Sequence, residues 1–536
     1  MSLGSRADAI ARMGAKLHWD LVIVGGGITG AGVAREAARR GLKTLLLEQC
    51  DYAWGTSSRS SKMVHGGLRY IAQGDFKLTR DALRERERLL LEAPGLVERM
   101  GYIFPVRGGQ FPGRWSFSAL LELYDRFARI RDHRWMKPAE LLARVPGLSP
   151  QALKGACYYT DAVTDDSRLV LRVLQEAVSD GAVIVNYVKA TSLVQEAGRV
   201  CGVVAQDVQS GRSYTLKADA VVSATGAWAD RLRNELVHEK RVRPLRGSHI
   251  VVAHERLPVR DALTLLHPQD RRPVFIFPWE GMTVVGTTDL DHAQDMDIEA
   301  SISREEITYL YDAVQSQFGG ERLQDSEVIS TWSGVRPVIG SEHNKDPSKE
   351  RRDHAVWSNN GLVTVSGGKL TIFRLIALDV LRAVQTSLGQ DTTHFHDDGA
   401  PVFLRSANAV TMALFPQSRG RLLAGRYGDA LAAYAQLDGA TGATIGSTPY
   451  SMADVIWTLR AEQCVHLDDL LLRRTRLGNL LPNGAAALLD TLQPVVQREL
   501  GWDDVRWQQE VARYLAIWRQ HYGLPGRDTA QQGQSS

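Results

Sequence analysis

A glycine-rich turn near the N-terminus constrains the fold of this chain more than any other feature. Residues 21–24 (LVIV) are an apolar run typical of a buried parallel strand, and three glycines follow at the spacing G-x-G-x-x-G. Gly25 permits the tight turn, Gly27 lets the backbone approach a pyrophosphate, and Gly30 lets the next helix pack close to the strand. The phosphates would lie at the helix N-terminus, because its unpaired N–H groups favour an anion. The turn therefore predicts an α/β protein with a Rossmann-like, dinucleotide-binding domain.

Later segments narrow the choice of dinucleotide. A second apolar run, residues 44–47, ends at Glu48, whose carboxylate would accept both hydroxyl protons of an adenosine ribose and repel the 2′-phosphate of NADP. Residues 218–230 run as an apolar strand into Ala224, Thr225 and Gly226, which resembles the second signature of flavoproteins. Residues 361–374 are a further strand that enters a glycine pair, a lysine and a helix. These two returns to the nucleotide lobe favour FAD over NAD.

Five motifs together carry a closer resemblance. They are TSSRSSKMVHGGLRY (residues 56–70), RGSHIVV (246–252), VVGTTD (284–289), SGVRP (333–337) and SGGKLT (366–371). In this order they resemble the FAD-dependent, respiratory glycerol-3-phosphate dehydrogenases, and the C-terminal remainder resembles that family more loosely. SGVRP recurs across amine- and hydroxy-acid-oxidising flavoproteins, whereas HGGLRY behind TSSxSSK is more specific. The resemblance implies a Rossmann-like FAD-binding domain, an antiparallel-sheet substrate cap and a C-terminal helical domain.

The reaction that the resemblance implies is oxidation of sn-glycerol 3-phosphate to dihydroxyacetone phosphate. Hydride would pass from C2 to flavin N5, and the electrons would continue to a quinone. The sequence contains neither a haem-attachment motif nor iron–sulfur spacing, so a diffusible acceptor is expected. Two alternatives stay open. One is an oxidase that reduces oxygen, and the other is a flavin-fold protein with another substrate or a binding or RNA-modifying role.

The motifs nominate the catalytic residues. Arg336 of SGVRP would stabilise charge on the C2 oxygen, and Lys369 of SGGKL lies where flavin and substrate meet in the family. His249 is the best candidate for the proton of the substrate hydroxyl, because imidazole titrates near neutral pH. The alternative is that His249 is a structural histidine beside a strand, with its hydrogen bonds satisfied and without a catalytic role.

Other motif residues are assigned to substrate and cofactor. Arginine suits a phosphate substrate because its planar fork binds phosphate through two hydrogen bonds. The predicted substrate-binding residues are Arg69, Tyr70, Thr288 and Arg352. The predicted cofactor-binding residues are Gly25, Gly27, Gly30, Glu48, Ser57, Ser58, Ser61, Lys62, His65, Gly66, Gly226 and Gly368. No metal site is predicted.

Composition agrees with a large enzyme that holds two or three domains, since 44% of its 536 residues are hydrophobic. The net charge of +3 gives no reason to propose nucleic acid as a partner. The 4 cysteines include no C-x-x-C pair, which argues against zinc and disulfides and suits a reducing compartment. No signal peptide or membrane span is apparent. The expected location is cytoplasmic, at the inner face of the cell membrane, and a homodimer is one of the oligomeric states left open.

The predicted domains interleave along the chain. Residues 17–90, 160–235 and 341–395 are assigned to the FAD-binding lobe, 91–159 to an insertion in the cap or facing a membrane, 236–340 to the substrate cap, and 396–525 to the helical domain. Residues 1–16 are expected to be a loose leader and 526–536 a disordered tail.

The insertion also carries the pattern of a helix that lies on an anionic membrane. Residues 111–137 combine an apolar stripe with a basic flank and an interfacial tryptophan. The stripe is Phe117, Leu120, Leu121, Tyr124 and Phe127, and the flank is Arg114, Arg126, Arg129, Arg131 and Arg134, with Trp115 beside it. The alternative is that the same stripe packs into the cap domain.

Overall fold

The computed structural model describes residues 2–16, 18–72, 74–340, 353–389, 395–437 and 439–526, with backbone only for Arg69 and Ala72. Its strands are β1 (His18–Val24), β2 (Thr44–Leu47), β3 (Met63–Val64), β4 (Val97–Arg107), β5 (Arg134–Met136), β6 (Leu153–Thr164), β7 (Val183–Val185), β8 (Val188–Glu196), β9 (Arg199–Asp207), β10 (Ser213–Ser223), β11 (Val242–Ala253), β12 (Ala262–Leu266), β13 (Pro273–Trp279), β14 (Met282–Gly286), β15 (Leu290–Asp291), β16 (Val328–Ile339), β17 (His354–Asn359) and β18 (Leu362–Gly367).

The α-helices lie before β1, between these strands and in the C-terminal part of the chain. They are α1 (Arg6–Ala15), α2 (Ile28–Ala38), α3 (Leu68–Ala72), α4 (Phe76–Glu92), α5 (Arg114–Ala128), α6 (Pro138–Arg144), α7 (Asp166–Ser179), α8 (Ala229–Arg233), α9 (Arg304–Gln315), α10 (Phe373–Val384), α11 (Ala409–Met412), α12 (Gln417–Tyr427), α13 (Leu431–Tyr434), α14 (Met452–Ala461), α15 (Leu477–Leu480), α16 (Pro482–Ala485), α17 (Leu489–Leu500) and α18 (Asp504–His521).

The first sheet is the nucleotide-binding sheet. Its strand order is β17-β18-β10-β1-β2-β7, and β1 pairs in parallel with both β2 and β10. β18 and β7 continue the parallel pairing on either side. Helices α2, α7 and α10 pack together, and their apolar side chains share one core with β1 and β10. The open parallel arrangement puts the carboxyl ends of β1, β2, β10 and β18 at one edge, where ligands of such sheets bind.

The second sheet is the cap. It has ten strands, with β11 paired antiparallel to β14, β15 and β16. Strands β4, β5 and β6 of residues 91–159 belong to this sheet, because β4 pairs in parallel with β12 and antiparallel with β6. The insertion therefore extends the cap. The cap otherwise consists of antiparallel pairs among the described strands.

Helix α5 is a core helix, so the interpretation of its apolar stripe as membrane-facing is wrong. Phe117, Leu121 and Tyr124 are buried in one core with strands of the cap. The ring of Phe117 stacks on that of Phe104 with centroids 4.2 Å apart. An apolar stripe with this periodicity is compatible with either a membrane surface or a protein core. In this protein the cap sheet covers the stripe. Trp115, at the helix N-terminus, stays 78% exposed.

The N-terminal residues form an ordered helix, and the C-terminal part of the chain forms the expected helical domain. Residues 6–15 form helix α1, which begins at the capping hydroxyl of Ser5 and buries Met13. The expectation of a loose leader is therefore wrong over this range. Helices α11–α18 form the C-terminal helical domain, and much of its apolar surface joins the core of the cap. The tail beyond residue 526 lies outside the described residues. None of the described helices has both the length and the apolar composition for a membrane crossing.

Candidate active site

The glycines of the β1–α2 turn have little room for a side chain. Gly25 has φ +114°, and a Cβ there would lie 2.5 Å from the carbonyl oxygen of Ala224. A Cβ on Gly30 would lie 1.9 Å from the carbonyl oxygen of Gly25, and one on Gly27 would lie 3.1 Å from Ser57 Oγ. The turn therefore accepts only glycine at its tightest points, and it brings backbone N–H groups to the cavity at the start of α2.

Glu48 stands at the carboxyl end of β2, beside this turn. Its carboxylate accepts hydrogen bonds from the N–H groups of Gly26 at 2.6 Å and Cys50 at 2.9 Å. Burial raises the pKa of Glu48, while these two N–H groups act in the opposite direction. The side chain lines the cavity with its position fixed by the backbone. Ribose recognition by Glu48 remains a prediction.

A cavity of about 390 Å³ extends from the β1–α2 turn to the cap sheet. Of the residues assigned from sequence, it is lined by Gly25, Gly27, Glu48, Ser57, Gly226, Gly368 and Lys369. It is also lined by residues that received no role from the sequence, including Trp54, Thr56, Lys189, Thr191, Trp228 and Pro337. Local patterns could not find Lys189 and Thr191, because they come from the separate meander β8–β9. A glycine cradle, an acid at the end of β2 and flanking aromatic rings fit a flavin dinucleotide.

The serine-rich loop after β2 divides its residues between the cavity and the interior. Ser57 Oγ accepts a hydrogen bond of 3.0 Å from the N–H of Ile28, in the first turn of α2. Lys62 is buried, and its Nζ bonds to Asp166 at 2.8 Å and to the carbonyl of Ser58 at 2.6 Å. Burial, assisted by Arg476, lowers the pKa of Lys62 to about 8. The assignment of Lys62 to the cofactor is therefore corrected, because its ammonium faces Asp166. Ser58, also buried, is likewise absent from the cavity wall.

The HGGLRY and SGGKLT motifs meet at Lys369, which lines the cavity. Lys369 Nζ donates to the carbonyl of Gly66 at 3.1 Å and lies 3.4 Å from the centroid of the Tyr70 ring. The N–H of His65 donates to Thr371 Oγ1 at 3.1 Å. The two motifs, about 300 residues apart in sequence, thus form one wall. The backbone of Arg69 belongs to α3, but its side chain lies outside the described part of the structure.

Tyr124 of α5 holds this wall from behind. Its hydroxyl accepts from the N–H of Gly66 at 2.9 Å and lies 2.7 Å from a carboxylate oxygen of Asp161. Arg86 donates to the other carboxylate oxygen at 2.6 Å. All three polar side chains are buried. A residue taken from sequence for a membrane-facing stripe therefore positions the HGG backbone, a contact that no local pattern encodes.

His249 and Ser61 join the cap to the nucleotide lobe. His249 lies on β11, fully buried, with its ring stacked on Trp332 at a centroid distance of 5.0 Å. Its Nε2 is 2.9 Å from Ser61 Oγ. Burial, reinforced by Arg336 and Lys62, holds the pKa of His249 well below its ordinary value, so the imidazole is neutral. A neutral imidazole can accept a proton.

Arg336 lies on β16, beside Pro337 of the cavity wall. Its guanidinium donates to Asp289 at 3.2 Å and to Thr287 Oγ1 at 3.1 Å, and its side chain is 22% exposed. The guanidinium is thus oriented but still accessible. Thr288 is different, because its hydroxyl accepts from the N–H of Ser248 at 2.9 Å and bonds to Glu306 at 2.6 Å. The assignment of Thr288 to the substrate is corrected, since Thr288 supports the cap interior.

Gly226 lies just beyond the carboxyl end of β10 and lines the cavity. Gly226 has φ +58°, and its carbonyl accepts from Ser366 Oγ at 2.9 Å, which ties the ends of β10 and β18 together. Arg352 lies outside the described residues.

Comparisons with known proteins agree on one family. The FAD dependent oxidoreductase family matches residues 20–377, and the C-terminal domain of alpha-glycerophosphate oxidase matches residues 392–507. The aerobic glycerol-3-phosphate dehydrogenase of Staphylococcus haemolyticus is 36% identical over 381 residues, which are 70% of this chain and 68% of that protein. The protein of the same name from Staphylococcus aureus is 37% identical over the same shares of the two chains.

Solved structures give the same answer. A glycerol-3-phosphate dehydrogenase from Bacillus halodurans, complexed with FAD, superposes with a TM-score of 0.75 at 27% identity and covers 96% of this chain and 98% of that chain. L-alpha-glycerophosphate oxidase from Mycoplasma pneumoniae shares the fold, with a TM-score of 0.55 at 19% identity over 70% of this chain and 95% of that chain. The chain belongs to the FAD-dependent oxidoreductases and, within them, to the FAD-dependent glycerol-3-phosphate dehydrogenase family. Its cofactor is FAD.

Proposed function

We propose that this chain oxidises sn-glycerol 3-phosphate to dihydroxyacetone phosphate. The observation that carries the proposal is that a neutral histidine, His249, and an oriented, accessible arginine, Arg336, lie on the paired cap strands β11 and β16, with Pro337 of β16 in the cavity wall. Lys369 enters the same cavity from the nucleotide lobe. Oxidation of a secondary alcohol that bears a dianion needs a proton acceptor and several cations, and these side chains supply both.

The roles follow from charge and position. His249 takes the proton of the C2 hydroxyl at Nε2, the ring nitrogen that faces Ser61. Arg336 stabilises the negative charge that develops on the C2 oxygen, because its guanidinium is already oriented by Asp289 and Thr287. Lys369, beside Tyr70, binds the substrate phosphate. FAD, when bound, supplies the hydride acceptor.

Substrate selectivity tests this assignment. Turnover of sn-glycerol 3-phosphate with an artificial electron acceptor is expected to exceed that of its enantiomer and of glycerol by at least about a hundredfold, since each lacks a bond to an oriented charged group. Glycerol tests the phosphate contacts and the enantiomer tests the C2 geometry. Comparable kcat/KM values for glycerol and glycerol 3-phosphate would contradict the proposal.

For the acceptor, we propose a membrane quinone. The support for a quinone is that relatives of this chain are named aerobic glycerol-3-phosphate dehydrogenases. The second candidate acceptor is oxygen, because residues 392–507 resemble the C-terminal domain of alpha-glycerophosphate oxidase. Steady-state rates with a soluble quinone analogue and with oxygen alone discriminate between the two. Stoichiometric hydrogen peroxide at an undiminished rate without quinone would establish the oxidase instead.

We further propose that the chain docks on an anionic membrane through the tip at the start of α5. Phe111 and Trp115 are 77% and 78% exposed, and the guanidinium of Arg114 lies 4.8 Å from the Trp115 ring centroid. Exposed aromatic rings beside cations suit the headgroup layer. This tip replaces the buried stripe of α5 as the contact surface.

Vesicle flotation tests the tip. The Phe111→Glu/Trp115→Glu variant is expected to lose binding to anionic vesicles, whereas Val410→Glu, at an equally exposed apolar side chain (79%) of the C-terminal domain, should float like the wild type. Equal flotation of the wild type and the tip variant, with FAD content unchanged, would refute this surface.

A further inference from the structure

The sequence RRTR, residues 473–476, places three arginines in the interior of the protein. The side chains of Arg473, Arg474 and Arg476 are 1%, 0% and 3% exposed. Buried charge is costly unless it is paired. Although these residues belong to the C-terminal domain, each has a carboxylate partner in the nucleotide lobe, and Arg473 also pairs with Asp468 and Asp469 of its own domain. The partners in the nucleotide lobe lie in or directly against residues 51–62, which we call the cofactor loop because Trp54, Thr56, Ser57 and Ser60 of this loop line the FAD cavity.

Asp51 is the first anchor of the cofactor loop. Its carboxylate accepts from Arg473 Nε at 2.6 Å and from two nitrogens of Arg474, each at 2.7 Å. Asp51 is fully buried. Burial alone would raise the pKa of Asp51, but Arg474 and Arg473 hold it below its usual value, so the carboxylate is charged. Two cations of the C-terminal domain therefore fix the start of the loop.

Asp166 is the second anchor. Arg476 donates to Asp166 at 2.6 Å and to the carbonyl of Ser58 at 3.0 Å. The same carboxylate group accepts from Ser60 Oγ at 2.7 Å and from Lys62 Nζ at 2.8 Å. Arg476 also pairs with Asp165 at 2.8 Å. One buried ion cluster thus connects the end of the cofactor loop to the C-terminal domain.

The loop needs such anchors because it has little regular structure of its own. Between β2 and β3 it contains one 3₁₀ turn, Thr56–Ser58, and Ala53 and Lys62 have positive φ values of +61° and +60°. Neither a helix nor a sheet ladder therefore fixes residues 59–62. None of the three arginines lines the cavity, so any effect they have on FAD must pass through the loop.

We propose that Arg473, Arg474 and Arg476 are positioning residues for FAD, and that this is a function of the C-terminal domain. They hold the cofactor loop in the conformation that presents Thr56, Ser57 and Ser60 to the cofactor. The proposal concerns the cofactor alone and is independent of the electron acceptor and of membrane binding.

Amide hydrogen exchange of the full-length protein, with and without FAD, tests the proposal together with FAD affinity. Arg476→Met is expected to speed exchange across residues 51–62 and to raise the FAD dissociation constant about tenfold or more, the equivalent of one lost charge-assisted hydrogen bond. Arg476→Lys keeps the charge and should restore part of both. Arg460→Met is the matched control, because Arg460 pairs with Glu499 at 2.6 Å elsewhere in the same domain.

The contrary result is a folded Arg476→Met protein with wild-type exchange in residues 51–62 and wild-type FAD affinity. If that variant does not fold, Arg474→Met tests the other anchor, because it removes two hydrogen bonds to Asp51 and leaves the Asp166 cluster intact. Faster exchange of residues 51–62 and weaker FAD binding in Arg474→Met support the proposal. Faster exchange of the C-terminal peptides alone overturns it.

Discussion

Replacing Arg336 by methionine is the sharpest test of the catalytic assignment. The guanidinium is held by Asp289 at 3.2 Å and by Thr287 at 3.1 Å, and it is 22% exposed, so the charge is oriented before substrate binds. A hydrogen bond to a charged group is worth about 1.5–3 kcal/mol, and each 1.36 kcal/mol corresponds to a factor of ten in rate. We therefore expect kcat/KM for glycerol 3-phosphate to fall by roughly 10- to 150-fold.

The assay is steady-state turnover with an artificial electron acceptor, with FAD content measured from the visible absorbance of the same sample. Arg336→Lys should lie between the wild type and Arg336→Met, because it keeps the charge without the planar fork. Arg256→Met is the control, since Arg256 is 29% exposed and pairs with Glu327 at the other end of the cap. A kcat/KM within about twofold of the wild type in Arg336→Met, with full FAD, would refute the role of Arg336.

Three further variants test single contacts. Tyr124→Phe removes a bond to the buried Asp161 and an acceptor for Gly66, so stability should fall by about 1.5–3 kcal/mol and turnover should fall with it; unchanged denaturation and turnover would contradict this. Burial, reinforced by Arg336, holds the pKa of His249 in the folded protein well below 6.5. As the pH falls below 6.5, this histidine therefore binds a proton in the unfolded chain but not in the folded protein. The free energy of unfolding should then drop by up to about 1.4 kcal/mol per pH unit. In His249→Asn the free energy of unfolding should fall less steeply with pH. Parallel curves of this free energy for the variant and the wild type from pH 5 to 7 would contradict the prediction. Glu48→Lys should lose FAD on dialysis, and stoichiometric flavin after dialysis would exclude Glu48 from cofactor binding.

Local geometry explains which parts of the site could be predicted from the sequence. The spacing of Gly25, Gly27 and Gly30 encodes a strand, a tight turn and a helix within a few residues, and the structure has all three in place. That information is contained in a short stretch of chain. The contact of Lys369 Nζ with the carbonyl oxygen of Gly66, at 3.1 Å, joins two motifs about 300 residues apart, and only the resemblance to the family indicated that both lie near the flavin and the substrate.

The predictions were wrong where the contacts of a side chain depend on residues far away in the sequence. The apolar stripe of α5 has the same periodicity in a membrane and in a core, and only the cap sheet, assembled from residues far along the chain, determines which surface covers it. Lys62 belongs to a motif that adjoins the cofactor, yet its side chain turns to Asp166, 104 residues away in sequence. Thr287 and Thr288 are neighbours in one motif, yet Thr287 Oγ1 accepts from Arg336 whereas the Thr288 hydroxyl bonds to the buried Glu306.

Anaerobic bleaching of the flavin by glycerol 3-phosphate measures the proposed oxidation itself. The purified protein should show the visible absorbance of oxidised FAD, and glycerol 3-phosphate added without oxygen or any other acceptor should bleach it within the time of a single turnover, whereas glycerol should not. Recovery of the absorbance on adding a quinone analogue would complete the cycle. An oxidised flavin spectrum that persists with excess glycerol 3-phosphate, in protein with full FAD occupancy, would show that glycerol 3-phosphate is not the substrate.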